Sequence, residues 1–133
     1  MSTDEAPTPP RIKPRLKHGP KVRDFYWCDF PKDAHLPELW KRRPVIVVAT
    51  DRTLSGAVTV IPCSSQPQLG NRWAHKLTET IDGKAESWAI CDKPCTVAVS
   101  RLSAEGRGKI RLSQEEFTAI PKLLLQWLPT PMG

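Results

Sequence analysis

Two runs of β-branched and small apolar residues, Pro44–Thr50 (PVIVVAT) and Ala57–Cys63 (AVTVIPC), stand six residues apart. Val, Ile and Thr crowd the preceding turn of a helix but pack well on a pleated surface. Both segments therefore read as strands, and Asp51–Gly56 between them carries turn residues. The pair predicts a hairpin with a six-residue connection, and the rest of the chain must be arranged around it. Ahead of it, the aromatic-rich Val22–Phe30 (VRDFYWCDF) predicts a strand, and Pro31–Pro37 a loop bounded by prolines. Behind it, Trp73–Thr80, Ser87–Asp92, Thr96–Val99 and Lys109–Leu112 predict further short strands. Asp82-Gly83 reads as a turn and Arg101–Gly108 as a connection.

The period changes at the C-terminus. Ser113-Gln114-Glu115-Glu116 is a capping-box pattern, with Ser113 as N-cap and Glu116 at the third helical position. Phe117, Ile120, Leu124 and Leu128 then fall on one helical face, while Pro121 predicts a kink or a restart. Strands first and one helix last indicate a mainly β fold: a small barrel or bent antiparallel sheet with a covering C-terminal α-helix.

A chain of 133 residues with 39% hydrophobic content fits one domain with an appendage. No run of about 18 apolar residues is present to span a membrane. The opening MSTDEAPTPP has no apolar segment behind a basic start, so no secretory signal is expected and the default location is cytoplasmic. Residues 1–20 contain Pro7, Pro9, Pro10, Pro14 and Pro20 and few core-forming residues. They are expected to form a disordered or extended basic tail before a domain spanning 21–133. Of the net charge of +6, residues 1–23 carry +4 and the remainder +2. The basic total thus does not argue a nucleic-acid-binding core, although the tail can attract phosphates or simply be a solvated arm. Among Cys28, Cys63, Cys91 and Cys95 only the last two are close, and nothing completes a zinc site. No metal and no cofactor are expected.

Four stretches carry candidate chemistry. RDFYW at 23–27 opens the fold. Glu38-Leu39-Trp40-Lys41-Arg42-Arg43-Pro44 crowds cations against the mouth of an apolar strand, where Pro44 holds Arg43 extended. Val60-Ile61-Pro62-Cys63-Ser64-Ser65-Gln66 ends a strand on two hydroxyls, which also suit an ordinary turn. The fourth is Cys91-Asp92-Lys93-Pro94-Cys95-Thr96. In this order and spacing, from about Arg23 to Leu128, the four resemble segments of the MazF/PemK toxins of bacterial type II toxin–antitoxin systems, Kid-like members included. The resemblance implies an SH3-like barrel, a homodimer with its RNA groove across the dimer, and a cognate antitoxin that occupies this groove.

It also implies an endoribonuclease that cuts single-stranded RNA without a metal. Such a reaction needs a base for the 2′-hydroxyl, a cation or N–H donors for the phosphorane-like charge, and an acid for the departing 5′-oxygen. By resemblance, Arg43 takes the phosphate, Ser64 supplies the hydroxyl of the family's threonine, and Glu38 and Asp92 are the carboxylates. Ser65, Gln66, Trp40, Arg42, Lys93 and His35 are the expected RNA contacts. Trp40 suits stacking of an unpaired base, whereas Trp27, Trp88 and Trp127 suit core or dimer packing. The sequence departs from the Kid-like pattern at Ile90, where an arginine serves as candidate acid, and at Lys93 and Cys95. Lys93 is then the cation nearest the lost one. Two rivals stand beside this reading: a non-enzymatic toxin on the same scaffold, like the gyrase poison CcdB, and a nucleic-acid-binding module that uses the tail.

Overall fold

The hairpin expected from the two β-branched runs forms the centre of the sheet. A computed structural model describes residues 6–78, 86–104 and 110–131. Strands β2 (Arg43–Thr50) and β3 (Ala57–Ser64) pair antiparallel, with Val45 opposite Pro62 and a bulge between Val47 and Ala49. The first strand, β1 (Asp24–Cys28), lies on the free edge of β2. The other edge of β3 is shared: β5 (Trp88–Ile90) covers its end and β6 (Cys95–Ala98) its beginning, while β4 (Ala74–Lys76) extends β5. The far edge of β1 is likewise shared between β7 (Leu102–Ser103) and β8 (Ile110–Arg111). The Asp82-Gly83 turn, residues 105–108 of the expected connection and the first residue, 109, of the expected last strand lie outside the described residues. Within that connection Leu102–Ser103 is a strand, a correction to the sequence expectation.

Connectivity forces this sheet to bend. In a flat sheet β6 and β7 would sit four strand spacings apart, about 19 Å. A single 3-10 turn, Val99–Arg101, joins them, and the four Cα steps from Ala98 to Leu102 span at most about 14 Å. The two edges must therefore curl toward each other.

Curling buries both faces, which explains why β2 and β3 read as continuous apolar runs rather than alternating ones. Phe25, Ile46, Ile61 and Cys63 face one cluster with Leu112, Phe117 and Ile120. Tyr26, Cys28, Val45, Val47, Val58 and Val60 face the other, with Val99 and Leu102. The first cluster is covered by α1 (Gln114–Trp127). The second receives Leu16 from the N-terminal segment. Residues 6–20 form no helix or strand. They nevertheless make specific contacts: Arg11 Nη1 donates to Ser55 O at 3.0 Å, Arg15 Nη2 to Asp29 Oδ2 at 2.8 Å, and Pro20 is buried.

The helix begins at Ser113, whose Oγ accepts from Glu116 N at 3.2 Å, and runs unbroken through Pro121. The expected restart is thus absent; the proline removes one donor, and the packed face of Phe117 and Ile120 holds the turn. The second half of the capping box does not form. Instead the Glu116 carboxylate accepts from Thr78 N at 2.6 Å and from the Thr78 hydroxyl, with His75 Nε2 at 3.5 Å. Burial raises the Glu116 pKa, but the Thr78 hydrogen bonds and His75 outweigh it and hold the carboxyl below its usual value. A carboxylate of lowered pKa stabilises the fold above its unfolded pKa, and that stability is lost as pH falls through the folded value. Glu116→Gln keeps one acceptor oxygen but loses the charge, and is therefore expected to cost about 1 kcal/mol at neutral pH, the difference between charge-assisted and neutral hydrogen bonds. Urea titrations at descending pH should show this cost shrinking below about pH 4.

Candidate functional site

Arg43 opens β2, held extended by Pro44, and Ser64 closes β3. In the register that sets Val45 opposite Pro62, two more residues bring Arg43 across from Ser64. Cross-strand partners share a face with Cβ atoms about 5 Å apart. The strand pairing itself therefore juxtaposes a guanidinium and a hydroxyl that lie 21 positions apart in the chain.

Both residues line a groove of about 600 Å³. One wall is the loop from Leu36 to Pro44, the other is Ser64–Gln66 with Gln68, and Ser87, Ile90 and Lys93 complete it. Of the residues singled out from sequence, Arg43, Ser64, Glu38, Ser65, Gln66, Trp40, Arg42 and Lys93 meet here. Asp92 and His35 do not line it. Asp92 lies in the turn after β5, where Lys93 N donates to Ile90 O at 3.1 Å, and its Oδ1 is buried without a partner. His35 lines a neighbouring hollow with Cys95 and Arg101, and its backbone N–H donates to Glu38 Oε1 at 2.7 Å.

The polar groups differ in how far they are already engaged. Arg43 Nε is buried and meets no acceptor, and among the described residues the Arg43 side chain has no hydrogen bond or ion pair. A buried unpaired donor costs about 1–3 kcal/mol, a cost an incoming anion can offset. Arg42, by contrast, is held: its guanidinium stacks over Trp27 at 5.2 Å, donates to Ser103 Oγ at 3.1 Å and lies 4.0 Å from Asp29. Ser64 Oγ accepts from Gln66 N at 3.1 Å, which leaves the hydroxyl proton free to donate outward. Glu38 is exposed and keeps one carboxylate oxygen beyond its bond to His35. Trp40 is 49% exposed, with Lys41 Nζ 5.8 Å from its ring.

Lys41, Gln68 and Ser87 were missed from sequence. The run Lys41-Arg42-Arg43 carried a signal for the first. Nothing local marked Gln68, whose Nε2 donates to Gln66 O at 3.2 Å, or Ser87. Ile90, which the sequence resemblance sets where Kid-like members carry an arginine, is a nearly fully buried apolar wall. With Lys41, Arg42, Arg43 and Lys93 against Glu38, the groove is cationic and suits an anion.

Cysteine chemistry has no place here. Burial raises the thiol pKa values of Cys63 and Cys91, the latter to about 12, and Cys91 also feels the Asp92 charge. Burial pushes Cys28 to about 12 as well, and all four cysteines are free. Thiols so shifted are inert at neutral pH. Among the described residues no three His, Cys, Asp or Glu side chains cluster so as to hold a metal ion. No helix among them is long and apolar enough to cross a membrane.

A search of curated proteins found no relative at a significant level of sequence similarity. Solved structures do resemble the fold. MazF (Form-I) from Deinococcus radiodurans superposes with a TM-score of 0.65 at 17% identity, covering 81% of this chain and 94% of that one. The Mycobacterium tuberculosis toxin MazF-mt6 gives 0.56 at 19% identity, covering 79% and 95%. An endoribonuclease in complex with its cognate antitoxin from a mycobacterial species gives 0.59 at 15% identity, covering 84% and 99%. Residues 21–128 match the family described as PemK-like, MazF-like toxin of type II toxin–antitoxin system. The chain, from Lys21 to Leu128, belongs to that toxin family.

Proposed function

We propose that the chain is a metal-independent endoribonuclease toxin, with residues 21–133 as the toxin domain. It cleaves single-stranded RNA by attack of a 2′-hydroxyl on the adjacent phosphorus, leaving a 2′,3′-cyclic phosphate and a 5′-hydroxyl. The observation that carries this reading is the unpaired Arg43 guanidinium set across the sheet from Ser64 in a cationic groove. Arg43 binds two phosphate oxygens and stays charged as negative charge builds. Ser64 donates its free proton to the same phosphate. Glu38, the carboxylate lining the groove, takes the 2′-proton, and Asp92 is the second carboxylate candidate from the turn beside Lys93. Lys93 is the cation positioned to protonate the leaving oxygen in place of the arginine that Ile90 replaces. Ser65, Gln66, Arg42 and Trp40 form the surrounding walls, with Trp40 as a stacking platform for a base. His35 supports Glu38 through its backbone.

A cognate antitoxin would neutralise the toxin in the cytoplasm by covering this groove. Self-association is supported by the end of α1, where Leu125, Trp127 and Leu128 expose apolar surface. The test is incubation of purified protein with unstructured RNA, with and without chelator, followed by mass analysis of the fragments. Cyclic phosphate ends in both samples are expected; intact RNA in both sinks the reading. Ser64→Ala should slow cleavage by roughly tenfold, the equivalent of one neutral hydrogen bond. That is a smaller loss than at Arg43, because the freed Gln66 N–H can partly replace the hydroxyl as donor.

A further inference from the structure

The N-terminal segment precedes the family match and carries cations that the groove does not use. It is pinned at both ends of a short exposed stretch. Leu16 packs in the second core cluster, and Arg15 binds Asp29 and the carbonyl of Arg101 at 3.0 Å. Beyond the stretch, Pro20 is buried and Gly19 lies so close to the backbone of Arg52 that a Cβ would sit 1.9 Å from its carbonyl oxygen. Between and just after these anchors, Lys17, His18 and Lys21 surround a hollow of about 600 Å³, and among the described residues none of their side chains has a partner. Lys17 and His18 therefore display their polar ends from a backbone fixed on both sides, and Lys21 from the start of the fold.

This hollow adjoins the groove. Ser103 lines the hollow and accepts from Arg42, which lines the groove. Arg15 and Arg42 both reach Asp29, so that acid is neutralised where the two surfaces meet. A strand leaving the groove past Arg42 thus meets a second set of fixed, unpaired cations. We propose that this strap is a second contact for single-stranded RNA, holding backbone phosphates of the strand that flanks the cleavage site. Only the identity of the strand rests on the nuclease reading; the charge display does not. An acidic peptide would also be attracted, but the hollow's continuity with a phosphate-suited groove favours RNA.

The test measures binding of 2′-O-methyl oligouridine, which lacks the attacking hydroxyl, at a series of salt concentrations. Oligomers of about 5 and about 15 nucleotides bracket the footprint of a single small β domain. Lys17→Ala/Lys21→Ala should weaken binding of the longer oligomer severalfold and lower its salt slope by about 1.4, at about 0.7 for each phosphate no longer neutralised. The shorter oligomer should bind both proteins alike. Lys17→Arg/Lys21→Arg should restore the slope, and unchanged melting should show that the exposed substitutions spare the fold. Equal slopes for the longer oligomer overturn the proposal, as does strap dependence seen only with a glutamate-rich peptide. Strap-dependent binding in a protein that leaves unmethylated RNA intact supports the strap while sinking the nuclease reading.

Discussion

Arg43→Ala is expected to lose about a hundredfold or more in RNA cleavage, the cost of removing one preorganised donor from a charge-stabilising site. Its melting temperature should stay at or slightly above that of the wild type. The reason is that the side chain has no partner among the described residues: the fold gains nothing from it, and truncation removes a buried unpaired donor. A residue built for stability would behave in the opposite way. Arg42→Ala supplies that contrast, because it breaks the stack on Trp27 and the bond to Ser103 and should lower the melting temperature. Arg43→Lys should not restore activity, since an ammonium cannot hold two phosphate oxygens in a planar fork. The measurement is fragment yield by mass spectrometry, paired with thermal unfolding of each variant. If Arg43→Ala cuts RNA as fast as wild type, the guanidinium is not the phosphate ligand. If it leaves RNA uncut but cell toxicity intact, as wild type would also have to do, the gyrase-poison alternative takes over.

The two β-branched runs made the hairpin legible because consecutive Val and Ile residues specify extended backbone without reference to anything distant. Ser113 made the helix start legible for a similar reason, since its partner is only three residues away. Features set by long-range partners were not readable. Glu116 forsakes the local capping box for Thr78, 38 residues distant, and no local pattern signals that choice. Leu102–Ser103 is too short to show a period, and it becomes a strand only because the curled sheet brings it against Trp27 and Cys28. The groove shows the same division. Arg43 and Ser64 sit at the far ends of the two hairpin strands, so their approach was accessible, but the bulge between Val47 and Ala49 shifts the register by one, and counted from the connection alone Arg43 would meet Ser65. Asp92 is displaced from the lining by one residue of turn geometry, which puts Ile90 and Lys93 on the wall instead. The strap is the extreme case. Leu16, Arg15 and the buried Pro20 tie it down, too little apolar content to register as packing before the surface it covers is known.

The largest loss of stability is expected at Asp24, which is fully buried at the start of β1. Its Oδ2 accepts from Lys21 N at 3.1 Å and from the Tyr26 hydroxyl at 3.0 Å, and Arg111 Nε lies 3.9 Å from Oδ1. The carboxylate thus ties the entry of the first strand to its own interior and to β8. Asp24→Ala would strand the buried Tyr26 hydroxyl at about 1–3 kcal/mol, leave the part-buried Lys21 N–H without its acceptor and remove the attraction to Arg111. Against a total of about 5–15 kcal/mol for a small domain, such a loss is severe. The expected drop in melting temperature is roughly 10–20 °C. Asp24→Asn keeps an oxygen for both donors and forfeits mainly the attraction to Arg111, so it should fall between wild type and alanine. Tyr26 offers an independent readout as the chain's one tyrosine. Burial and then the Asp24 charge raise its phenol pKa far above the ordinary value, so it remains a donor throughout the neutral range. A group whose folded pKa is raised stabilises the fold below its unfolded pKa, and the benefit declines as pH climbs beyond it. Wild type should therefore lose stability above about pH 10, where an unfolded phenol ionises. Tyr26→Phe should lack that part of the decline. Ultraviolet titration of folded Asp24→Ala should find the phenol ionising at lower pH than in wild type, and an unchanged titration would show that Asp24 does not hold it.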